Sequence, residues 1–248
     1  MQLASALEIG RGDVVAFAGA GGKSSAIIRL ASELSASGLT VLAAPTTKMF
    51  VSEAERVGPL VVSQSNEELR GKISEALAGG GAVVAGREIL SKHRVGGLPP
   101  RIIGELARLA DVTLVEADGA RRRPLKGTAE HEPELPSRVT LVVAVGGIRA
   151  LGAPLDEETV HRPELFSHLT GIEAGQTITP EAFARTLAEG SLHNTPPEVR
   201  KAALISGAQP GTQMFDASVV ARKLRQLGVD PIVAASLPQD GPAVAWAL

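Results

Sequence analysis

The chain has no cysteine and no tyrosine, and with a single tryptophan its aromatic residues make up only 2% of 248 residues. Without cysteine it can form no disulfide, no thiolate metal site and no iron–sulfur cluster, so any sulfur chemistry must use sulfur from another molecule. With so few aromatic rings it also lacks the stacking surface typical of proteins that bind single-stranded nucleic acid.

A strong charge excess and long hydrophobic runs are absent as well. The net charge of −2 and the pI near 6.2 give no positive field that would attract nucleic acid or an anionic membrane. No uninterrupted apolar run approaches the ~20 residues of a membrane span, and no basic segment followed by an apolar core stands at the N-terminus. We therefore expect a cytoplasmic protein without a nucleic-acid or membrane partner.

Apolar strands and amphipathic helices alternate along the chain, a pattern typical of a mostly parallel sheet with helices on both faces. The predicted strands are 14–18, 40–44, 60–62, 82–85, 112–115, 139–145, 202–206 and 231–235, and the predicted helices are 24–37, 66–77 with Asn66 as its cap, 100–109 and 216–227. Loops and short helices are expected over 155–190. A domain boundary near residue 150 is possible, but the strands predicted on both sides of it should belong to one sheet. We predict a single nucleotide-binding domain, residues 1–248, with a three-layer P-loop NTPase-like α/β fold.

The glycine-rich turn between the first strand and the first helix carries the clearest chemical signal. Its glycines allow a tight turn that points backbone N–H groups inward, Lys23 can reach the outer phosphates of a nucleotide, and the Ser24 hydroxyl can join a magnesium shell. The loop is shorter than a Walker A motif, because Phe17 stands where the first glycine would be, and it resembles the loops of Mur-type amide ligases. A glycine-rich turn with a chance lysine is the alternative. The predicted nucleotide contacts are Gly19, Gly21, Gly22, Lys23, Ser24 and Ser25.

Two acidic residues follow the apolar strand 112–115. An acid at the end of one strand beside a phosphate loop at the end of another is the Walker B arrangement, which holds magnesium or its waters. Side chains two residues apart on a strand face the same way, so Glu116 or Asp118 could join Ser24 on the metal while the other acid orients a nucleophile. Asp118 and Gly119 could instead form an ordinary turn.

The second strand is followed by Thr46, Thr47 and Lys48, which should lie beside the phosphate loop because carboxyl ends of parallel strands face the ligand crevice. Either threonine hydroxyl could help to hold magnesium or contact the terminal phosphate. Lys48 could neutralise charge that develops on that phosphate. A solvated turn is the alternative.

A basic run, RRRPLK at 121–126, follows the two acids and could grip a phosphate or another anionic substrate. Arg121 and Lys126 are its best candidates. His131 lies between two glutamates and has an ordinary pKa suited to proton transfer near neutrality. His161 and Arg162 form a weaker cationic pair. The alternatives are a solvated charge run and an inert loop histidine.

Taken together, these motifs resemble those of the YqeC-type proteins, a family of accessory proteins of selenium-dependent molybdenum hydroxylases. The resemblance covers roughly residues 12–206 and rests on the segments GAGGKS at 19–24, TTKMF at 46–50, EADGA at 116–120, PLKGTAEHEP at 124–133 and VHRP at 160–163. It implies a nucleotide-binding protein that takes part in the maturation of a molybdenum hydroxylase or of a selenium-containing form of its cofactor. The implied partners are a small anionic substrate or molybdopterin-type cofactor and a molybdenum hydroxylase.

The chain departs from the family pattern at two places. Ser24 and Ser25 stand where the family tends to have threonines, which preserves the hydroxyl groups. The segment SGAQ at 206–209 lacks the lysine and aspartate of the guanine-reading segment that the family often shows. Guanine specificity therefore has no support in these residues, and the expected cofactors are Mg²⁺ and, by default, ATP, with the identity of the base left open.

Two classes of function fit these residues. The first is a magnesium-dependent P-loop NTP hydrolase or phosphotransferase that activates a small anionic substrate, with a catalytic set of Lys23, Glu116, Asp118, Arg121, Lys126 and His131 and a metal set of Ser24, Glu116 and Asp118. The second is a nucleotide-gated chaperone or cofactor-binding module with little turnover of its own. A purely structural relic of a P-loop protein would bind no nucleotide.

Overall fold

One large sheet runs through the computed structural model of the chain, which describes residues 1–237 and 244–248. Its strands lie in the order β14 (Val244–Ala247), β13 (Ile232–Ser236), β12 (Arg200–Ser206), β10 (Leu141–Gly147), β1 (Val14–Gly19), β8 (Val112–Glu116), β2 (Val41–Pro45), β5 (Ala82–Gly86) and β4 (Leu60–Val62). Neighbouring strands are parallel except for the pair β13 and β14. The strands after residue 150 thus extend the sheet that the earlier strands form.

Helices cover both faces of this sheet. One face carries α1 (Leu3–Ala6), α2 (Lys23–Ala36) and α3 (Val51–Val57), and the other carries α4 (Asn66–Leu77), α5 (Pro100–Leu106), α6 (Pro163–Thr170), α7 (Pro180–Arg185) and α8 (Thr212–Gln226). Along β1, Val15 and Phe17 pack on the first face while Ala16 and Ala18 pack on the second. A strand buried on both faces is typical of a parallel sheet between helix layers. The predicted three-layer α/β fold is confirmed.

Two small sheets stand beside the large one. One has the order β3 (Met49–Phe50), β7 (Arg94–Val95) and β6 (Ile89–Ser91), and the other pairs β9 (Leu125–Lys126) with β11 (Val160–His161). Short 3₁₀ turns at Ala107–Leu109 and Ile148–Ala150 and a π-helical turn at Thr186–Ser191 complete the regular structure of the described residues. Both small sheets contribute walls to the cleft described below.

Most predicted elements lie within two residues of their observed bounds, and the differences have local causes. The hydroxyl of Ser65 caps α4 by accepting the N–H of Glu68, so the predicted cap, Asn66, is instead the first helical residue. Helix α8 begins at Thr212, earlier than the predicted start at 216, directly after Gly211 at φ +102°. The predicted strand 139–145 is observed as β10, shifted by two residues.

Candidate functional site

A cleft of about 1500 Å³ opens at the carboxyl ends of the central strands. Ligands of open α/β sheets bind at this edge. Five strand ends contribute to its lining: residues 21–25 after β1, residues 46–48 after β2, Glu116 on β8, Gly147 on β10 and Ser206 on β12. All the residues predicted to contact nucleotide except Gly19 therefore line one cleft; Gly19 instead contacts Asp118 and Lys23.

The phosphate loop connects β1 to the start of α2. Helix α2 begins at Lys23 with Gly22 as its N-cap, and among the described residues no side chain caps this end. The first N–H groups of a helix have no partner within the helix, and the positive end of the helix dipole favours an anion there. Ser24 and Ser25 line the cleft in the same turn. The backbone of this loop is thus suited to a phosphate group.

Two glycines of the loop have no room for a side chain. Gly21 and Gly22 have φ values of +77° and +146°, which L-residues with a side chain rarely adopt. A Cβ on Gly21 would lie 2.5 Å from the carbonyl oxygen of Pro124, and one on Gly22 would lie 2.9 Å from Oγ of Ser206. The Ser206 hydroxyl also donates a hydrogen bond to the carbonyl of Gly21. The loop is therefore packed against two other segments and requires glycine.

Glu116 faces the loop from the end of the neighbouring strand. The Ser24 hydroxyl donates a hydrogen bond to its Oε2 at 3.0 Å. Burial raises the pKa of Glu116 above its ordinary value, and the charge of Lys23 opposes that shift. A P-loop hydroxyl beside an acid at a strand end is the pair that holds magnesium in P-loop NTPases.

Asp118, two residues further, has a different environment from Glu116. Its carboxylate is fully buried, with Oδ1 2.8 Å from Nζ of Lys23 and Oδ2 2.9 Å from Nζ of Lys126. It also accepts the backbone N–H of Gly19 at 2.9 Å. Asp118 therefore holds the phosphate loop through one lysine and one backbone amide.

The ion pairs continue away from the loop. Nζ of Lys126 lies 2.8 Å from Oε2 of Glu132, which in turn lies 2.6 Å from the guanidinium of Arg162. We call Lys23, Asp118, Lys126, Glu132 and Arg162 the buried network, in which positive and negative charges alternate. Burial alone would raise the pKa of Glu132, but hydrogen bonds from Arg162 and Lys126 outweigh it and lower this pKa to about 2.

Lys23 belongs both to the buried network and to the lining of the cleft. Its ammonium group donates to the carbonyl of Gly19 at 2.5 Å in addition to its ion pair with Asp118. Burial alone would lower the pKa of Lys23. The carboxylates of Asp118 and Glu116 raise this pKa by more than burial lowers it, so the net shift is upward. Lys23 is therefore positively charged at neutral pH.

The segment after β2 lies beside the phosphate loop, as its place in the sequence predicts. Thr46, Thr47 and Lys48 all line the cleft, and Lys48 is exposed. The Thr46 hydroxyl is 3.3 Å from the carbonyl oxygen of Glu116, to which it donates. Contacts of these residues with a nucleotide stay a prediction.

The predicted catalytic residues after β8 fall in three different places. Arg121 lines the cleft and is exposed. Lys126 is enclosed by the carboxylates of Asp118 and Glu132 and by the carbonyl of Gly119, and it does not line the cleft. His131 is exposed and lies outside the cleft lining. Catalytic roles for these three stay predictions.

Comparison with known proteins places the chain in a family. The model of the family described as "YqeC protein" matches residues 15–164, which is more than half of the chain. The chain belongs to the YqeC family. It is also 31% identical over 244 residues to a protein of Escherichia coli (strain K12) named "Uncharacterized protein YqeC", and the alignment covers 95% of this chain and 91% of that protein.

The YqeC match contains most of the site. Residues 15–164 include the phosphate loop, both acids after β8 and the whole buried network up to Arg162. Ser206, which packs on the loop, lies beyond the match but within the strand β12. The family relationship therefore rests on the same part of the chain that forms the cleft.

Several residues of this YqeC cleft were not predicted from the sequence. Arg149 lines it from the turn after β10, where the rule that polar groups follow strand ends would have pointed to it. Phe50 lines it with two arginines stacked on its ring, since the guanidinium carbons of Arg94 and Arg122 lie 3.5 Å and 4.0 Å from the ring centroid. Such pairs between distant segments leave no signal in a single sequence.

None of the helices in residues 1–237 and 244–248 has both the length and the apolar composition of a membrane span.

Proposed function

We propose that this YqeC-family chain binds a nucleoside triphosphate, ATP in the first instance, together with Mg²⁺ and either hydrolyses it or transfers its phosphoryl group to a small anionic substrate. One observation carries the proposal. The Ser24 hydroxyl and the Glu116 carboxylate are 3.0 Å apart at the N-terminal end of α2, inside a cleft at the carboxyl ends of parallel strands. This combination is typical of P-loop NTPases.

The residues of the site fit a magnesium ion that is bound together with a nucleotide better than they fit a metal ion bound by protein side chains alone. In residues 1–237 and 244–248 no group of three or more histidine, cysteine, aspartate or glutamate side chains is arranged to hold a metal ion. Magnesium usually keeps several waters and takes one or two carboxylates plus the phosphates of its nucleotide. Ser24 and Glu116 supply such a partial set of oxygen ligands. Bound there, the ion would neutralise charge on the outer phosphates.

The chain's own groups account for the rest of the proposed chemistry. The free N–H groups at the start of α2 and the ammonium of Lys23 would stabilise negative charge on the phosphates. Because Lys23 is already paired with Asp118, binding of a phosphate would place that ammonium between two anionic groups. Lys48 and Thr47 would contact the same phosphates from the segment after β2.

For the biological role we propose maturation of a molybdenum hydroxylase or of a selenium-containing form of its cofactor, which the family resemblance implies. A nucleotide-gated chaperone or cofactor-binding module with little turnover is the second candidate. The position of His131 favours it, because the residue that the sequence offers for proton transfer is exposed and lies outside the cleft lining. The two candidates share the nucleotide site and differ in turnover.

Thermal unfolding of the full chain with Mg-ATP, Mg-GTP and Mg-CTP tests the nucleotide site. Ligand at 100 times its dissociation constant should stabilise the protein by about 2.7 kcal/mol. We expect this gain with Mg-ATP, and we expect EDTA, Ser24→Ala and Glu116→Gln each to reduce it. Glu157→Gln, an exposed glutamate outside the cleft lining, is the matched control and should keep the full gain.

Stabilisation by no nucleotide would contradict the proposal. Equal stabilisation in Glu116→Gln and in the wild type would remove Glu116 from the metal site. A phosphate-release assay then separates the two candidates: turnover by the chain alone supports the enzyme, whereas turnover that rises only when an apo-hydroxylase is added supports the binding module.

A further inference from the structure

Beyond the phosphate loop, the cleft reaches a group of basic side chains that are not among the predicted nucleotide contacts. Arg121, Arg122, Arg149, His161 and Arg162 line this part of the cleft, and we call them the basic wall. They come from three segments, namely the run after β8, the turn after β10, and β11 with the residue that follows it. The fold therefore brings arginines from three separate segments to one surface, where burial and the nearby cations Arg162, Lys126 and Arg121 lower the pKa of His161.

Only part of this positive charge is neutralised. Arg162 pairs with Glu132 at 2.6 Å, and Arg122 lies 3.9 Å from Glu53. Arg121 and Arg149 are exposed and form no ion pair with any residue that the structure describes. The guanidinium of Arg149 donates to the backbone carbonyl of Arg122 at 3.4 Å, which does not neutralise its charge. Two arginines thus face the cleft with uncompensated charge.

The backbone of the basic wall is also unusual. Arg121, Arg122 and Arg162 have φ values of +46°, +62° and +59°, in the left-handed region that residues with a side chain seldom occupy. Strained backbone of this kind clusters at active sites and ligand clamps. The N–H of Arg123 closes the turn by donating to the carbonyl of Ala120 at 2.9 Å. The backbone turn that carries Arg121 and Arg122 is therefore closed by a hydrogen bond.

The backbone segment that follows the three arginines packs directly on the phosphate loop. Pro124 comes immediately after Arg123, and its carbonyl oxygen accepts the N–H of Gly147 at 2.8 Å and lies against Gly21 of the loop. The cleft volume of about 1500 Å³ also exceeds the roughly 300–1000 Å³ of most small-molecule pockets. There is room for a second ligand beside a nucleotide.

We propose that Arg121 and Arg149, flanked by His161 and Arg162, form a second anion subsite that binds a phosphate group on the molecule accepting the nucleotide's chemistry. This inference rests on the proposed function in one respect, that the phosphate loop holds the nucleotide. Arginine suits the task because its planar guanidinium can donate two parallel hydrogen bonds to one phosphate. Under this proposal the acceptor is a small molecule that carries a phosphate group.

Isothermal titration calorimetry with inorganic phosphate tests the subsite, using the full chain with and without a saturating Mg²⁺ complex of the non-hydrolysable analogue AMP-PNP. We expect phosphate to bind in the presence of AMP-PNP. The double variant Arg121→Gln, Arg149→Gln should bind phosphate at least tenfold more weakly and AMP-PNP within twofold of the wild type. Arg70→Gln, an exposed arginine on α4 outside the cleft lining, is the control for general surface charge and should leave both affinities unchanged.

The double variant Arg121→Lys, Arg149→Lys keeps the charge but loses paired donation, so its phosphate affinity should lie between those of the wild type and the glutamine variant. Three results would overturn the subsite: undiminished phosphate binding in the glutamine variant, exclusion of phosphate by AMP-PNP, or a tenfold loss of AMP-PNP affinity in that variant, which would assign the arginines to the nucleotide. If AMP-PNP does not bind at all, the proposed function fails. The subsite would still stand if phosphate alone binds and the glutamine variant loses it.

Discussion

Two regions of the molecule meet at the end of β8, and each takes one of two neighbouring acids. Glu116 belongs to the cleft, where its carboxylate accepts the Ser24 hydroxyl. Asp118 belongs to the buried network, where it lies between Lys23 and Lys126 without any exposed surface. Residues of the same chemistry, two positions apart, are thus separated into an open site and a closed one.

This difference assigns the two acids to different tasks. Asp118 accepts a hydrogen bond from the amide of Gly19 and forms an ion pair with Lys23, so its negative charge is neutralised within the buried network and it holds the loop in place. Glu116 lines the cleft, and the group that donates a hydrogen bond to its carboxylate is the neutral hydroxyl of Ser24. We therefore propose Glu116 rather than Asp118 as a ligand of the metal ion. The following predictions test that separation, starting with the largest effect.

Asp118→Asn should have the largest effect on stability. Both lysines would stay buried after the carboxylate between them is lost. Breaking a buried pair by removal of one partner usually costs about 3–5 kcal/mol. We expect a loss of this size in the free energy of unfolding, measured in urea at pH 7 by circular dichroism. A loss below about 1 kcal/mol would mean that the network does not hold the fold together.

Gly21→Ala should have the second largest effect, because Gly21 of the phosphate loop packs against the backbone of Pro124 and Gly147. The added Cβ would meet the carbonyl oxygen of Pro124 at 2.5 Å and the amide of Gly147 at 2.7 Å. Backbone strain and overpacking together should cost about 2–4 kcal/mol in the free energy of unfolding. Gly152→Ala is the control, since its φ of +78° matches the +77° of Gly21 but nothing lies within 4 Å of its added Cβ. Equal losses in the two variants would show that the close approach has no energetic importance.

The fold was predictable where long elements carry a clear pattern. Strand β1 is an unbroken apolar run buried on both faces, and α2 repeats apolar residues at Ile27, Leu30 and Leu34. By contrast, β3, β6 and β7 have only two or three residues each, too few for a period to be recognised. Their pairing joins Phe50 to Arg94 across a long stretch of chain. Single-sequence patterns do not report such contacts.

The site was predictable in its residue types and less so in their surroundings. The loop, Glu116 and Thr46–Lys48 meet at one cleft because strand ends of a parallel sheet share an edge. The burial of Lys126 could not be predicted, since it depends on Asp118 and Glu132 approaching from separate segments. In the Ala-Glu-His-Glu-Pro segment, His131 suggested chemistry, yet Glu132 is the residue that enters the buried network.

Acid should weaken the buried network through Glu132. Its pKa is about 2 in the folded protein and near the ordinary 4.5 when unfolded, so the unfolded state binds the proton more readily. The stabilisation is therefore complete above pH 4.5 and is lost as pH falls toward 2. We expect Glu132 to contribute on the order of 2 kcal/mol to the fall in unfolding free energy over this range.

Urea unfolding of the wild type and of Glu132→Gln at pH 7, 5, 4 and 3 measures this contribution. The wild type should lose more stability than the variant between pH 5 and pH 3, because only the wild type has this carboxylate to protonate. Parallel pH profiles would show that Lys126 and Arg162 do not lower the pKa of Glu132 in the folded protein. Glu130→Gln, an exposed neighbour on the same segment, serves as the control and should follow the wild type.

Glu116→Gln should have the smallest effect on stability, and of the opposite sign. Burial raises the folded-state pKa of Glu116, which means that the folded protein disfavours its carboxylate form. The stabilisation from the protonated form of Glu116 is present at low pH and is lost as the pH rises through the folded-state pKa. At pH 7 to 8 the wild type therefore carries the free-energy cost of a buried carboxylate, and the neutral glutamine side chain removes this cost. We expect the variant to be more stable there by about 0.5–1 kcal/mol, as is usual when a functional site is relieved of charge. Urea unfolding at pH 8 measures it, and a loss of more than 1 kcal/mol would place Glu116 in the same structural role as Asp118, so that the two regions would no longer differ.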